Sequence, residues 1–299
     1  MTLISPEDKI FVAGHRGLAG SAICRALLRS GYSRQLTANR SQLDLLDANA
    51  VHQWFSHHQP DVVILAAAKV GGIEANLSYP ADFLLENLKI QTNVIESAWH
   101  TNVRRFLFLG SSCIYPKYCE QPIRESSLLT SSLEPTNDSY AIAKISGLKL
   151  CESLRKQYGF DAISLMPTNL YGPGDNYHPT NSHVIAALIN RFYEATQLGI
   201  DYVSCWGTGL PRREFLHADD LGNASVFALE HWQPTMNELS YINIGSGVDY
   251  TIKYLAELIA DLFDYKGQIR WDTGKPDGTP QKLLDIQRMS ELGWNAETS

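Results

Sequence analysis

The sequence of 299 residues has few cysteines, no dense block of basic residues and no long apolar run. Its five cysteines include no CxxC pair, so we expect reduced thiols in a cytoplasmic protein and no metal site. The net charge is −7, which gives no reason to expect a nucleic acid or a membrane surface as a partner. No apolar stretch is long enough for a secretory signal or a membrane span.

The first part of the chain alternates short apolar runs with longer amphipathic stretches. Such an alternation predicts an α/β fold, in which a doubly wound, Rossmann-type parallel sheet is covered by helices on both faces. The predicted strands are 9–13, 35–39, 61–67, 104–110 and 161–167. The predicted helices lie near 18–30, 47–57, 80–101 and 137–158.

After about residue 170 the pattern loosens. Residues 171–181 are dense in turn formers and predict a surface loop, of the kind that often carries binding residues. Shorter elements are predicted at 182–198, 203–207, 240–245, 251–264 and 268–271. We expect a dinucleotide-binding domain over 1–170, to which some later segments return. A smaller mixed α/β substrate lobe is expected over most of 171–299.

A glycine-rich turn follows the first predicted strand. Gly14, Gly17 and Gly20 stand in the run AGHRGLAG, directly before an amphipathic helix. In this setting the first glycine permits the tight turn, the second lets a pyrophosphate approach the backbone, and the third lets helix and strand pack closely. A turn of this kind alone is weak evidence, but its place at the first strand of a βαβ unit favours dinucleotide binding.

Two arginines indicate which dinucleotide is bound. Sites selective for NAD place an acidic residue at the end of the second strand, whereas this sequence has Arg40 there, and Arg16 lies in the glycine turn. Guanidinium groups bind phosphate through paired hydrogen bonds, so the pattern favours the 2′-phosphate of NADP. The plainer alternative is that Arg40 is a surface residue.

Tyr140 and Lys144 stand four residues apart in SYAIAKISG, on a predicted helix. That spacing places both side chains on one helix face. A nearby ammonium is expected to lower the pKa of a tyrosine, which suits a general acid. Combined with the glycine turn and with Ser111 after the fourth strand, the pair resembles the Ser-Tyr-Lys triad of the short-chain dehydrogenase/reductase superfamily, extended branch. The glycine spacing GxxGxxG fits that branch too.

Cys113 follows Ser111 by two positions. In an extended chain the two side chains point to the same side, so both are expected to face one pocket. A thiolate can remove a proton from carbon, and a histidine such as His183 can return one from the opposite face. The pattern alone favours plainer interpretations, in which Cys113 packs as a small apolar residue and His183 caps or packs at a helix start.

Longer blocks resemble the GDP-L-fucose synthase family of the same branch, in that family's order from Lys9 to Trp294. The blocks are FLGSSCIYP, LEPTNDSYAIAKISGLKLCES, MPTNLYGPGDN, HPTNSHVI, REFLHADDL and KPDGTPQKLLD. The resemblance implies an enzyme that epimerises C3 and C5 of GDP-4-keto-6-deoxy-D-mannose. The same enzyme then reduces the C4 ketone with NADPH. It also implies a homodimer, formed through two long helices.

The resemblance implies roles for individual residues as well. Cys113 is the epimerisation base and His183 its acid, while Ser111, Tyr140 and Lys144 serve the reduction. The cofactor-binding positions are Gly14, Arg16, Gly17, Gly20, Arg40, Asp44, Leu45, Lys144, Pro167, Thr168, Asn169, Leu170 and His183. The substrate-binding positions are Arg191, Trp206, Arg213 and Asp277. From residue types alone, surface ion pairing explains the two arginines equally well.

Two alternatives stay open at this point. Another sugar-nucleotide epimerase or dehydratase of the same branch is one, although no Asp-Glu pair follows Ser111 as it does in dehydratases, and Arg40 disfavours tightly held NAD. A non-catalytic NADP-binding regulator is the other. The presence of Ser111, Tyr140 and Lys144 together argues against it.

Overall fold

A computed structural model describes residues 2–178 and 182–298. The strands are β1 (Ile10–Ala13), β2 (Gln35–Leu36), β3 (Val62–Leu65), β4 (Arg105–Leu109), β5 (Ala162–Pro167), β6 (Asn169–Tyr171), β7 (Tyr202–Trp206), β8 (Arg212–His217), β9 (Tyr241–Ile244), β10 (Asp249–Thr251), β11 (Gln268–Asp272) and β12 (Gln281–Lys282). The helices are α1 (Leu18–Arg29), α2 (Ala48–His58), α3 (Ile73–Ser78), α4 (Pro80–His100), α5 (Asp138–Tyr158), α6 (Val184–Leu198), α7 (Ala218–His231), α8 (Ile252–Leu262) and α9 (Gln287–Glu291).

The main sheet has six parallel strands in the order β2-β1-β3-β4-β5-β9. Successive side chains of its central strands point to opposite faces, so each strand contributes to two cores. One face packs against α2, α4 and α5, and the other against α1 and α7. The predicted doubly wound α/β fold is therefore confirmed. The chain reverses direction across the sheet between β1 and β3, where such folds bind their ligands beyond the carboxyl ends of the strands.

The second half of the chain forms smaller sheets beside the carboxyl edge of the main one. β8 pairs with β6, β10 and β12, and β7 pairs with β11. Helices α6 and α8 pack on β7 and β8 around a third apolar core that includes Phe192 and Leu255. Two later segments return to the main sheet, because β9 extends it beside β5 and α7 covers α1. No described helix combines the length and the apolar character needed to cross a bilayer.

Several sequence-based boundaries need correction. The strand predicted over 35–39 is limited to Gln35–Leu36, because only these two residues pair with β1. The helix predicted near 47–57 is α2, which begins at Ala48; the Asp47 carboxylate caps it by accepting the N–H of Ala50 at 3.0 Å. Helices α3, α7 and α9 and strands β6, β8, β10 and β12 were not predicted. The part of the loop 171–181 that covers 179–181 lies outside the described residues.

Candidate active site

The glycine turn between β1 and α1 has the geometry of a dinucleotide cradle. Gly14 has φ +88°, and a Cβ there would lie 2.6 Å from the backbone nitrogen of Ala67. A Cβ on Gly20 would lie 2.1 Å from the Gly14 carbonyl oxygen, so both positions require glycine. A Cβ on Gly17 would meet only the Gly14 oxygen, at 3.5 Å. Gly17 is exposed at the N-cap of α1, which leaves the backbone N–H groups open to an approaching phosphate.

Arg16 and Arg40 follow the neighbouring strands β1 and β2, and both are exposed. The side chain of Arg40 is 77% exposed, and its Nε lies 4.0 Å from the Asp44 carboxylate. An ion pair this long and this exposed to solvent does not fix the guanidinium in place. Arg16 forms no ion pair with any described residue. Leu45 packs at the edge of the core beside α2. The turn therefore has two exposed cations next to it, in the region where a ribose phosphate would lie.

Ser111 and Cys113 follow β4 and are close together, but for a different reason than predicted. Ser111 has extended backbone angles, whereas Ser112–Ile114 form one turn of 3₁₀ helix. The Ser111 hydroxyl oxygen accepts the backbone N–H of Cys113 at 3.2 Å. The extended i, i+2 argument is therefore wrong in its mechanism. A capped turn brings the two side chains to the same edge of the sheet instead.

Tyr140 and Lys144 lie on the first two turns of α5, facing Ser111 and Cys113. The Lys144 ammonium is buried and donates to the Leu109 carbonyl oxygen at 2.8 Å, with the Tyr140 ring centroid 5.9 Å away. Burial lowers the pKa of Lys144 to about 8. Burial also raises the pKa of Tyr140, and nearby Cys113 adds to this, with a hydrogen bond to Ser111 opposing it. The prediction that Lys144 lowers the tyrosine pKa is thus wrong for this arrangement. Tyr140 is held protonated, which suits a proton donor.

His183 is the N-cap residue of α6 and does not use its side chain to cap that helix. It is exposed at the rim of the cleft, by which we mean the space between the carboxyl edge of the main sheet at Ser111 and the smaller sheets of the second half of the chain. Enough protein surrounds the ring that desolvation lowers the pKa of His183, with Asp175 opposing this. The preceding Ser182 carbonyl oxygen lies close to Gly72, where a Cβ would be 2.9 Å away. The neighbouring Gly71 contacts Phe83, whose ring is 6.4 Å from that of Tyr140. These contacts bring the start of α6 to the side of the cleft that holds Tyr140.

The residues from Pro167 to Leu170 continue the same edge, from the end of β5 into β6. The Thr168 hydroxyl and the Asn169 amide both donate to the Glu214 carbonyl oxygen, at 3.2 and 2.9 Å. Leu170 packs at the edge of the core under α1. This segment is therefore fixed between the main sheet and β8. It forms part of the cleft floor, next to Ser111.

Comparisons with known proteins agree with this geometry. Residues 10–245 match the model of the NAD dependent epimerase/dehydratase family. The chain belongs to the NAD dependent epimerase/dehydratase family. It is 56% identical over 291 residues to GDP-L-fucose synthase 1 of Arabidopsis thaliana, and the aligned region covers 97% of this chain and 89% of the relative. It is 54% identical over 298 residues to GDP-L-fucose synthase of Escherichia coli K12, covering 98% of this chain and 93% of the relative.

Solved structures of similar fold include members that bind NADP. One is a GDP-L-fucose synthetase from Naegleria fowleri bound to NADP, with a TM-score of 0.88 at 26% identity, covering 100% of this chain and 91% of that one. Another is a GDP-mannoheptose C4 reductase from Campylobacter jejuni with NADP bound. Its TM-score is 0.90 at 33% identity, covering 99% of this chain and 95% of that one.

In this member of the epimerase/dehydratase family, the predicted substrate residues lie on the smaller lobe. Asp277 fixes the turn after β7, because its carboxylate accepts the backbone N–H and the hydroxyl of Thr208 at 2.7 and 2.8 Å. Arg213 donates to the Asp277 backbone carbonyl at 3.4 Å, and its charge interacts with Cys113. Trp206 is 37% exposed, with the Lys275 ammonium 4.9 Å from its ring centroid. Arg191 donates to the Ser204 carbonyl of β7 at 3.1 Å.

Two residues of the site were missed by sequence reasoning. The Asn137 amide nitrogen lies 3.3 Å from the Cys113 sulfur, and the Lys282 ammonium lies 3.9 Å from it. Both stand inside sequence blocks that resemble the synthase family, but neither has a pattern of its own. In the sequence Asn137 is typical of an ordinary helix N-cap, and Lys282 is separated from Cys113 by 169 positions. Within residues 2–178 and 182–298, no three His, Cys, Asp or Glu side chains are grouped to hold a metal ion.

Proposed function

We propose that this protein is an NADPH-dependent GDP-L-fucose synthase. It would convert GDP-4-keto-6-deoxy-D-mannose to GDP-L-fucose by 3,5-epimerisation and then reduction of the C4 ketone. The observation that carries the proposal is the pairing of Cys113 with the Ser111–Tyr140–Lys144 group at one sheet edge, next to Arg213. The relatives named GDP-L-fucose synthase support the assignment over nearly the full chain.

The donors around the ketone serve both reactions. Ser111 and Tyr140 are placed to donate hydrogen bonds to the C4 oxygen, because burial keeps the Tyr140 hydroxyl protonated. Removal of the proton from C3 or C5 pushes negative charge onto that oxygen, and so does addition of hydride to C4. Donors that are already oriented toward the oxygen stabilise the charge in both cases.

Cys113 is the base for epimerisation, and His183 is the acid. Cys113 takes the proton from carbon through its sulfur, and His183 returns a proton from the other face, which inverts the carbon. The lowered pKa of His183 favours transfer of its proton to carbon once the ring is protonated.

The glycine turn, Arg16 and Arg40 would hold NADP, with Asp44 and Leu45 beside the adenine. When bound, NADPH supplies the hydride that is added to C4. Lys144, buried between Leu109 and the Tyr140 ring, would orient the nicotinamide ribose. Pro167 to Leu170 would line the nicotinamide. Tyr140 gives its proton to the C4 oxygen as the alcohol forms, and the open backbone at Gly17 leaves room for the pyrophosphate.

The nucleotide end of the substrate would bind on the smaller lobe. Arg191 and Arg213 are suited to its pyrophosphate and Trp206 to an apolar face of the substrate, while Asp277 fixes the turn at Thr208 between Trp206 and Arg213. We accordingly assign 1–170 mainly to NADP and 171–299 mainly to the nucleotide sugar. Strand β9 and helix α7 are the later segments that return to the main sheet.

A homodimer through α4 and α5 is part of the proposal. These helices pack against each other on one face of the main sheet. Ile145 and Leu148 are buried in the core beneath them, whereas Ile142 is 45% exposed and Leu85 is 54% exposed. The exposed pair leaves an outer apolar surface for a second copy. Sedimentation equilibrium giving the mass of a single chain would contradict this part.

The experiment that tests the proposed function uses the intact protein, GDP-4-keto-6-deoxy-D-mannose and NADPH in deuterated water. We expect NADPH oxidation together with deuterium at C3 and C5 of the product, because both carbons exchange protons with solvent before reduction. NADPH oxidation without deuterium in the product would mean that the enzyme is a C4 reductase without epimerase activity, like the C4 reductase of Campylobacter jejuni. Absence of oxidation would contradict the proposal entirely.

A further inference from the structure

Asn137 occupies the N-cap position of α5 but does not cap that helix. Asparagine is among the best N-cap residues, since its side-chain oxygen accepts a backbone N–H of the first turn. Here no such bond forms. The Asn137 amide instead donates to the Cys113 sulfur at 3.3 Å, and its oxygen is buried without a hydrogen-bond partner among the described residues. Because the missing cap lowers the stability of α5, the orientation of the Asn137 side chain toward the sulfur is not explained by helix stability.

Lys282 approaches the same sulfur from the smaller lobe. Its ammonium lies 3.9 Å from Cys113 Sγ. Strand β12 pairs with β8 so that Lys282 stands opposite Arg213. The next residues are tied down, because the Leu283 N–H donates to the Gln121 side chain and the Leu284 N–H to the buried Glu214 carboxylate, each at 2.9 Å. The approach of Lys282 is therefore set by the fold.

The charged groups near Cys113 are mainly cations. Arg213 on β8 and Lys144 on α5 both interact electrostatically with Cys113. Lys282 adds a third positive group from β12. The N-terminus of α5, with its partial positive charge, lies on the same side. A negative sulfur would be stabilised by all of these groups, and most directly by the two that donate to it.

We propose that Asn137 and Lys282 are positioning residues that direct the Cys113 sulfur at the substrate carbon and donate to that sulfur when it is negatively charged. The inference rests on the proposed function and goes beyond it by naming what prepares the base. The thiol proton is lost to solvent before substrate reacts. The thiolate then accepts the proton from C3 or C5; the C–H bond breaks, an S–H bond forms, and the electron pair moves toward the C4 oxygen. N–H groups that donate to the charged form favour it.

The test for Asn137 is the variant Asn137→Asp. Aspartate has the same shape and is an equally good N-cap, so the fold and α5 are expected to be retained. It loses the N–H donor and puts a negative charge beside the sulfur. We expect the alkylation of Cys113 by iodoacetamide at pH 7 to slow about tenfold. At pH 10, where a thiol ionises without help, the rates of variant and parent should converge.

The test for Lys282 is Lys282→Met, which keeps the length of the side chain and removes its charge. We expect the same pattern, with slower alkylation at pH 7 and convergence at pH 10. Matched controls are Asn223→Asp on α7 and Lys89→Met on α4, both outside the site. The half-buried Cys24 serves as an internal control thiol, and peptide masses separate its modification from that of Cys113.

Two results would overturn the inference. One is an unchanged alkylation rate at pH 7 in both variants, which would mean that neither residue supports the thiolate. The other is equal slowing at both pH values, which would mean that the variants only close access to the sulfur. Alkylation needs no nucleotide sugar. Failure of the deuterium experiment therefore counts against the proposed function, and failure here counts against the positioning role alone.

Discussion

The Lys144 ammonium is a buried positive charge with one polar contact, the Leu109 carbonyl oxygen. Its folded-state pKa of about 8 lies below the ordinary value of 10.5. The folded protein therefore binds fewer protons than the unfolded chain between these two pH values, and stability rises with pH across that window. Below pH 8 the full cost of the buried charge is present. Such a cost is expected where a side chain is kept for catalysis.

Replacing Lys144 by methionine should stabilise the protein and abolish its activity. We expect Lys144→Met to raise the free energy of unfolding at pH 7 by about 2 kcal/mol, because removal of the buried charge outweighs the lost hydrogen bond. The gain should shrink at pH 10, where the wild-type lysine is mostly neutral in the folded protein. Urea unfolding at the two pH values measures this. An unchanged or lower stability at pH 7 would contradict it.

The sequence predicted the residues that bear recognisable patterns, and missed those whose role depends on distant contacts. Tyr140 and Lys144 share a helix face because of their spacing, and the structure retains that arrangement. The direction of the tyrosine pKa was predicted wrongly, because desolvation depends on the whole fold around α5. Lys282 reaches Cys113 only through the pairing of β12 with β8, which two residues of sequence cannot reveal.

At the scale of elements, Arg105 joins β4 to the end of α7. Its side chain is 1% exposed and forms an ion pair with Asp161. It also donates to the carbonyl oxygens of Ala228 and Trp232, at 3.1 and 2.6 Å. The Ala228 oxygen also accepts the Trp232 N–H, whereas the Trp232 carbonyl lies just past the last turn of α7. One guanidinium thus satisfies a helix end and neutralises a carboxylate at the amino edge of the main sheet, opposite the cleft.

We expect Arg105→Met to lower the free energy of unfolding by about 3 kcal/mol, because it removes the buried hydrogen bond to the Trp232 carbonyl and leaves Asp161 with Arg155 alone. The neighbouring Arg104→Met is the matched control. Arg104 is half-exposed and pairs with Asp8, so its loss should cost less than about 1 kcal/mol. Chemical denaturation compares the two. Equal effects would show that Arg105 is no more important than a surface arginine.

The main strands were predictable because each is a continuous apolar run buried on both faces, as in β3 and β4. The short strands of the lobe lack such runs. β6 and β12 are half-buried and have three and two residues, so they exist as strands only through pairing with β8. Helix α7 follows β8 without a break, at His217–Ala218, which removes the turn signal that would have marked its start.

At the scale of the whole molecule, the cleft has one wall from each half of the chain. The main sheet contributes Ser111, Cys113 and Tyr140, and the smaller lobe brings Arg213 and Lys282 to the same place. The buried Glu214 carboxylate holds the lobe together, since it accepts the N–H groups of Gly247 and Leu284 at 2.7 and 2.9 Å. One ketone-binding pocket can therefore support two reactions, provided that the epimerisation groups are separable from the reduction groups.

That separation is the central claim, and Cys113→Ser tests it most directly. The variant is given GDP-4-keto-6-deoxy-D-mannose and, in a second assay, the ketone already epimerised at C3 and C5, each with NADPH in deuterated water. We predict that deuterium incorporation at C3 and C5 falls about a hundredfold or more, in line with the loss of a general base. Reduction of the epimerised ketone should stay within a few-fold of the wild-type rate. Equal loss of both activities would contradict the account.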